Sequence, residues 1–121
     1  MTFTAREARG ILSHMLAVAI RDLLSELRNA LEGIYGPRLQ GAYLFGSFAR
    51  GEADADSDVD VLIVLDRIER YGLEIERTSE AVSRLSLQHG MSISRVFATA
   101  DAFRRGDRPF LLNAREDAVP L

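Results

Sequence analysis

The stretch Phe45–Leu65, FGSFARGEADADSDVDVLIVL, decides the fold. It opens on a Gly-Ser pair, runs ten residues, and sets Asp58 and Asp60 one residue apart at the head of an aliphatic run. A segment as continuously apolar as VDVLIVL beyond its carboxylates belongs to a central strand covered on both faces. Side chains at i and i+2 of a strand leave the same face, so the two carboxylates point the same way. Like charges so placed repel unless something positive lies between them, and Mg²⁺, a hard cation that also binds phosphates, suits that position. For the two aspartates alone a turn is the plainer reading, since Asp-Ser-Asp is common loop chemistry.

Gly46 and Ser47 change the balance. A strand that ends in Gly-Ser before a short Phe48-Ala49-Arg50 turn offers free backbone N–H groups, a hydroxyl and a helix start, a set that suits phosphate oxygens. Gly46 lets the backbone approach a ligand where any Cβ would obstruct. Arg50 either neutralises phosphate charge or braces the acidic loop at Glu52, Asp54 and Asp56.

Outward from this stretch the chain alternates helix and strand patterns. Apolar residues recur at helical spacing from Ala8 to Leu31, with Thr4 and Glu7 in capping-box order, which predicts a long N-terminal helix over about 5–33. Such a length suits two helices, or one that extends past the core to meet a partner or a second copy. Gly33 and Gly36-Pro37 are the stop signals. GAYLF at Gly41–Phe45 reads as a strand, Ile68–Leu87 as a helix, and MSISRVFA at Met91–Ala98 as a third strand. Thr99 caps a short last helix, and Pro109–Glu116 adds another turn or two. The order α-β-α-β-α-β-α predicts an α/β domain with a small sheet. One domain over 1–121 is expected, with a core at about 38–98 and a helical tail at 99–121.

Composition sets limits. Of 121 residues, 47% are hydrophobic and 27% charged, which is ordinary for a globular domain. A net charge of −3 argues against a broad nucleic-acid-binding surface. The absence of cysteine excludes disulfides, Cys-ligated zinc and thiol catalysis. All 15 basic residues are arginine, and without a lysine no P-loop can form. Met15–Ile20 is the longest apolar run, too short to cross a bilayer, and MTFTAREARG lacks the order of a signal peptide; a cytoplasmic protein is expected. His14 and His89 form no HExxH pair, Ser47 is not in a GxSxG elbow, and Arg104, Arg105, Arg108 and Arg115 read as a solvated or partner-facing patch.

GSFARGEADADSDVDVLIVL resembles the minimal nucleotidyltransferase (MNT) domains of the DNA polymerase β superfamily, whose pattern is GSxARGxxxxxSDxDxxV. The resemblance covers about residues 38–98 and implies the nucleotidyltransferase fold, a small mixed β-sheet with flanking helices. It assigns triphosphate binding to Gly46 and Ser47, a catalytic place to Ser47, Asp58 and Asp60, and Mg²⁺ binding to Asp58 and Asp60. It implies transfer of AMP from ATP to a hydroxyl. MNT proteins often act with a helical HEPN-type RNase toxin as its antitoxin, which suggests a tyrosine of such a partner as acceptor. Many members carry a third carboxylate on the next strand, where this chain has Ser92, Ser94 and Arg95 and no acid. An MNT-fold antitoxin that blocks its partner by contact alone is therefore the alternative. A small-molecule nucleotidyltransferase is weaker, since those enzymes usually use a further domain for the acceptor.

Overall fold

The structure is a computed structural model that describes residues 2–121. Helices α1 (Ala5–Ala19) and α2 (Arg21–Tyr35) lead through a 3-10 turn, Gly36–Arg38, into strand β1 (Leu39–Phe45). Helix α3 (Gly46–Arg50), strand β2 (Val59–Leu65), helix α4 (Tyr71–His89) and strand β3 (Ile93–Thr99) follow. Helices α5 (Ala100–Arg105) and α6 (Pro109–Asp117) precede a two-residue strand β4 (Val119–Pro120).

The sheet order is β3-β2-β1-β4, with β1 antiparallel to both β2 and β4 and β2 parallel to β3. This is the small α/β sheet that the element order predicts, mixed and flanked by helices as the resemblance implies. The central position of β2 explains its apolar run. Val59, Val61, Ile63 and Leu65 pack with Leu23, Leu27 and Leu31 of α2 and Leu85 of α4. Leu62 and Val64 face the other way, against Ala98, Leu111 and Ala114. Phe103 stacks on Tyr43, with ring centroids 5.2 Å apart, and Phe110 meets Phe45 edge-on at 5.5 Å, which seats α5 and α6 on that second face. No described helix is long and apolar enough to cross a membrane.

The long helical stretch expected over about 5–33 is two helices, one of the two forms its length suits. Its periodicity runs on without a Gly or Pro signal, but the backbone turns at Ile20, whose ψ of −6° departs from helical geometry. Ile20 is buried in the core, so the turn anchors the joint while α1 leaves the domain. Helix α2 also continues through Gly33 and ends at Gly36, whose φ of 52° only glycine adopts readily. Thr4 does close a capping box with Glu7, and Thr99 does cap α5 by accepting from the Ala102 N–H. His89 ends α4, and its ring contacts Glu26 of α2, holding the Glu26 carboxyl below its usual range.

One buried polar cluster has no signal in the sequence. Glu74, 2% exposed, accepts from Tyr35 Oη at 3.0 Å, Arg38 Nη2 at 3.2 Å and Arg77 Nη1 at 3.1 Å. Burial pushes its carboxyl up, but these bonds outweigh burial and hold it below the ordinary value. Arg38 also reaches Asp66 at 3.2 Å, just past the end of β2. The cluster thus ties α2, α4 and the open ends of β1 and β2 together.

Candidate active site

The site lies at the opposite end of the same two strands. Strand β1 finishes at Phe45, paired across from Asp60 at the start of β2, and Gly46 turns the chain into α3 with φ of 75°. A Cβ built on Gly46 would overlap the Asp60 carboxylate. The glycine is therefore required twice, for its backbone angle and for the closeness of Asp60. Phe48 is buried in the core and fixes α3 from below, while Glu52 N–H donates to the Ser47 carbonyl at 2.9 Å. Helix α1 adds a further tie: Ser13 Oγ donates to the Gly51 carbonyl at 2.6 Å, where α3 ends.

Between α3 and β2 the acidic loop is closed on itself. Asp54 N–H donates to Ser57 Oγ at 2.9 Å, and Asp54 Oδ1 accepts from the Asp56 N–H at 2.9 Å. This is the turn chemistry that the Asp-Ser-Asp segment suggested, carried by Asp54 and Ser57 rather than by Asp58. Asp58 is left free of it. Val59 N–H donates to the Ser92 carbonyl at 2.8 Å, which fixes the start of β2 beside the lead into β3.

Among the described residues, no hydrogen bond or ion pair within 4.0 Å engages the carboxylates of Asp58 or Asp60, and none engages Ser47 Oγ. Burial pushes the Asp60 carboxyl up, the charge of Asp58 pushes it further, and Arg50 offsets only part of this. The chain therefore builds two neighbouring carboxylates and withholds a cation from both. Asp58 lines a cavity of about 390 Å³ with Asp54, Asp56, Phe48 and Met91–Ser92. Asp60 shares the face of Leu62 and Val64, where Ser94 is its partner across β3 and Val96 and Ala98 continue the face. A second cavity, also about 390 Å³, lies further along β3 over Val96 and Ala98, with Ile68, Thr99, Arg108 and Phe110 around it, and none of Gly46, Ser47, Asp58 or Asp60 lines it.

Arg50 is placed beside the site but is already engaged. Its Nε donates to Glu52 at 3.0 Å and its Nη1 to Asp117 at 2.8 Å, which lift its pKa. The first contact is the loop-bracing role that the sequence left open; the second was not foreseen, because Asp117 is 67 residues away. Strand β3 carries no acid, and Asp101 pairs with Arg105 at 3.1 Å on α5. Among the described residues no three acidic, histidine or cysteine side chains gather as a metal site. Arg104 and Arg105 lean on Asp101, and Arg105 also on Asp107, so much of the C-terminal basic patch is neutralised within the chain.

Comparison with known proteins agrees with the fold and shows the family. A solved structure named as a "putative minimal nucleotidyltransferase" superposes with a TM-score of 0.60 at 24% identity, covering 87% of this chain and 95% of its own, which shows the shared fold. Two proteins of Methanocaldococcus jannaschii, each named "Putative protein adenylyltransferase", are similar in sequence. One is 30% identical over 68% of this chain and 76% of its own length, the other 35% identical over 62% and 75%. Residues 24–111, from within α2 to the start of α6, match the Nucleotidyltransferase domain family. The chain belongs to the nucleotidyltransferase domain family.

Proposed function

We propose that this chain is an Mg²⁺-dependent protein adenylyltransferase that transfers AMP from ATP to a hydroxyl, a tyrosine of a partner HEPN-type RNase toxin, and so acts as antitoxin. The observation that carries the reading is Asp60, set against the bare backbone of Gly46 with Asp58 two residues before it, neither paired with a cation of the chain's own. The relatives' names support protein as the acceptor class; the HEPN partner and the tyrosine come from the MNT resemblance.

The residues present fit magnesium. Two carboxylates supply a hard, anionic part of a shell that phosphate oxygens and water complete, and Mg²⁺ is commonly bound in that way. Bound there, the metal would neutralise phosphate charge and favour in-line displacement at the α-phosphorus. The protein's part is to hold and orient. Gly46 admits the triphosphate close to the backbone, and Ser47 offers its hydroxyl. Arg50 would add charge once it leaves Glu52 or Asp117. The acceptor oxygen forms a bond to the α-phosphorus as the bond to pyrophosphate breaks, and the hydroxyl proton passes to water or to a phosphate oxygen. Ser94, beside Asp60, cannot take that proton at neutral pH.

The test is the intact mass of the protein encoded beside this one, before and after incubation with this chain and Mg-ATP. A gain of one or more AMP units, absent when Asp58→Asn and Asp60→Asn are combined, is the expected outcome. Ser94 at the place of a third carboxylate favours a second reading, an antitoxin of weak or no activity that neutralises its toxin by contact. That reading expects no mass gain, a stable complex, and full neutralisation in cells by the double Asn variant.

A further inference from the structure

The first two turns of α1 stand clear of the domain: every residue from Thr2 to Leu12 is exposed, and Ser13 is the first buried position. Yet this part of the chain is not polar. Phe3, Ile11, Met15 and Val18 are 54%, 43%, 61% and 46% exposed. Phe3, Glu7, Gly10, Ile11, His14 and Met15 border one continuous shallow concavity. At 3.6 residues per turn these positions share one side of the helix, opposite Ser13, Leu16 and Ile20, by which α1 is held to the domain. Soluble monomers rarely leave a contiguous apolar stripe of this kind bare. It also lies outside residues 24–111, the part of the chain that matches the family domain.

The order of residues along the stripe says what covers it. Counted outward from the midpoint between Gly10 and Ile11, equidistant positions are Gly10 and Ile11, Glu7 and His14, and Phe3 and Val18. Two copies of α1 laid antiparallel about a two-fold axis at that midpoint would set a branched side chain over bare backbone, acid against imidazole, and apolar against apolar. A two-fold interface demands this self-complementarity, because each residue meets its mirror position twice. Parallel packing would instead set Glu7 against Glu7. Gly10 has no local purpose to compete with this one. Its φ is not positive, nothing lies within 4 Å of where its Cβ would stand, and glycine costs a helix interior about 1 kcal/mol relative to alanine. Glu7 gives one oxygen, Oε2, to the Thr4 N–H at 3.1 Å, which leaves Oε1 for a partner.

We propose that this chain forms a two-fold dimer through antiparallel α1 helices, with Ile11 of each copy seated over Gly10 of the other. The proposal goes beyond nucleotidyl transfer and does not rest on it. Light scattering on the size-fractionated full chain tests it. The expected mass is about twice the chain's 13.4 kDa. His14→Glu sets two acid pairs face to face and halves the mass. Combining it with Glu7→His exchanges the partners and restores the dimer, which a merely misfolded helix would not do. Gly10→Leu raises helicity by circular dichroism while removing the dimer. A wild-type chain that stays monomeric at micromolar concentration overturns the proposal. So does a dimer indifferent to all three changes, or a monomer that uses α1 only to bind a different protein.

Discussion

Strands β1 and β2 hold an acidic cluster at each end, and the two are opposites. At one end Glu74 is buried and answered three times, by Tyr35, Arg38 and Arg77. At the other, Asp58 and Asp60 stand two residues apart in the chain, with no cation of the chain touching either. The same sheet thus stabilises one carboxylate as an anion and leaves Asp60 pushed up by burial and by the charge of Asp58. An acid whose charge the fold already balances serves the fold. Acids whose charge the fold leaves unbalanced at the edge of a cavity point to something that arrives from outside.

That contrast can be broken by experiment. The sharpest break is functional: Asp58→Asn with Asp60→Asn should cost about three orders of magnitude or more in transfer rate with the fold retained, since several kcal/mol of phosphate charge neutralisation depend on them. Unchanged circular dichroism with lost transfer is the signature; unchanged transfer sinks the assignment. At the other end Glu74→Ala should act on stability alone, by about 3 kcal/mol in urea unfolding, because it strands Tyr35 and two arginines. Gly46→Ala should affect both. Its positive φ and the overlap with Asp60 predict a loss of about 2 kcal/mol in stability, together with impaired transfer.

Acid sharpens the comparison further. The folded Glu74 carboxyl titrates below its ordinary 4.5, so its contribution is complete above that pH and fades as pH falls through the lowered value. Stability measured from pH 6 down to 3 should therefore drop more steeply in the wild type than in Glu74→Gln. Asp60 has the reverse sign: its raised pKa means that ionisation costs the metal-free fold. The smallest effect follows, a gain of about 0.5–1 kcal/mol on Asp60→Asn without magnesium, seen as a higher Tm. A loss of stability there would mean that Asp60 serves the fold after all.

The sequence carries these two ends unequally. Gly46, Ser47, Asp58 and Asp60 are legible because they fall within one 15-residue window, and the pairing of β1 with β2 plus the glycine's lack of Cβ brings Gly46 against Asp60. Strand β2 is legible to the residue, since only a central strand tolerates VDVLIVL. Glu74 is not. Its partners at Tyr35, Arg38 and Arg77 come from three elements, and an acid in the first turn of an amphipathic helix looks like any solvent-facing charge. The break at Ile20 is hidden for a related reason. The apolar repeat continues in phase on both sides, one half facing the core and the other facing away from it. Strand β4 escaped because two residues, one of them proline, give no periodicity to read. Asp117 escaped with it, which is why Arg50 could be placed only by its neighbours in sequence.

Arg50 has a consequence of its own. Held at once by Glu52 and Asp117, it is one cation between two carboxylates, so the site presents no free positive charge where a phosphate site would be expected to offer one. A phosphate that claims this arginine has to evict a carboxylate, so recognition there is a trade of one anion for another and not a capture. The carboxylate evicted is also a moored end: two residues past Asp117 the chain lies down along β1 as its last strand. The C-terminus is thus tethered by the very charge that the substrate would come to take.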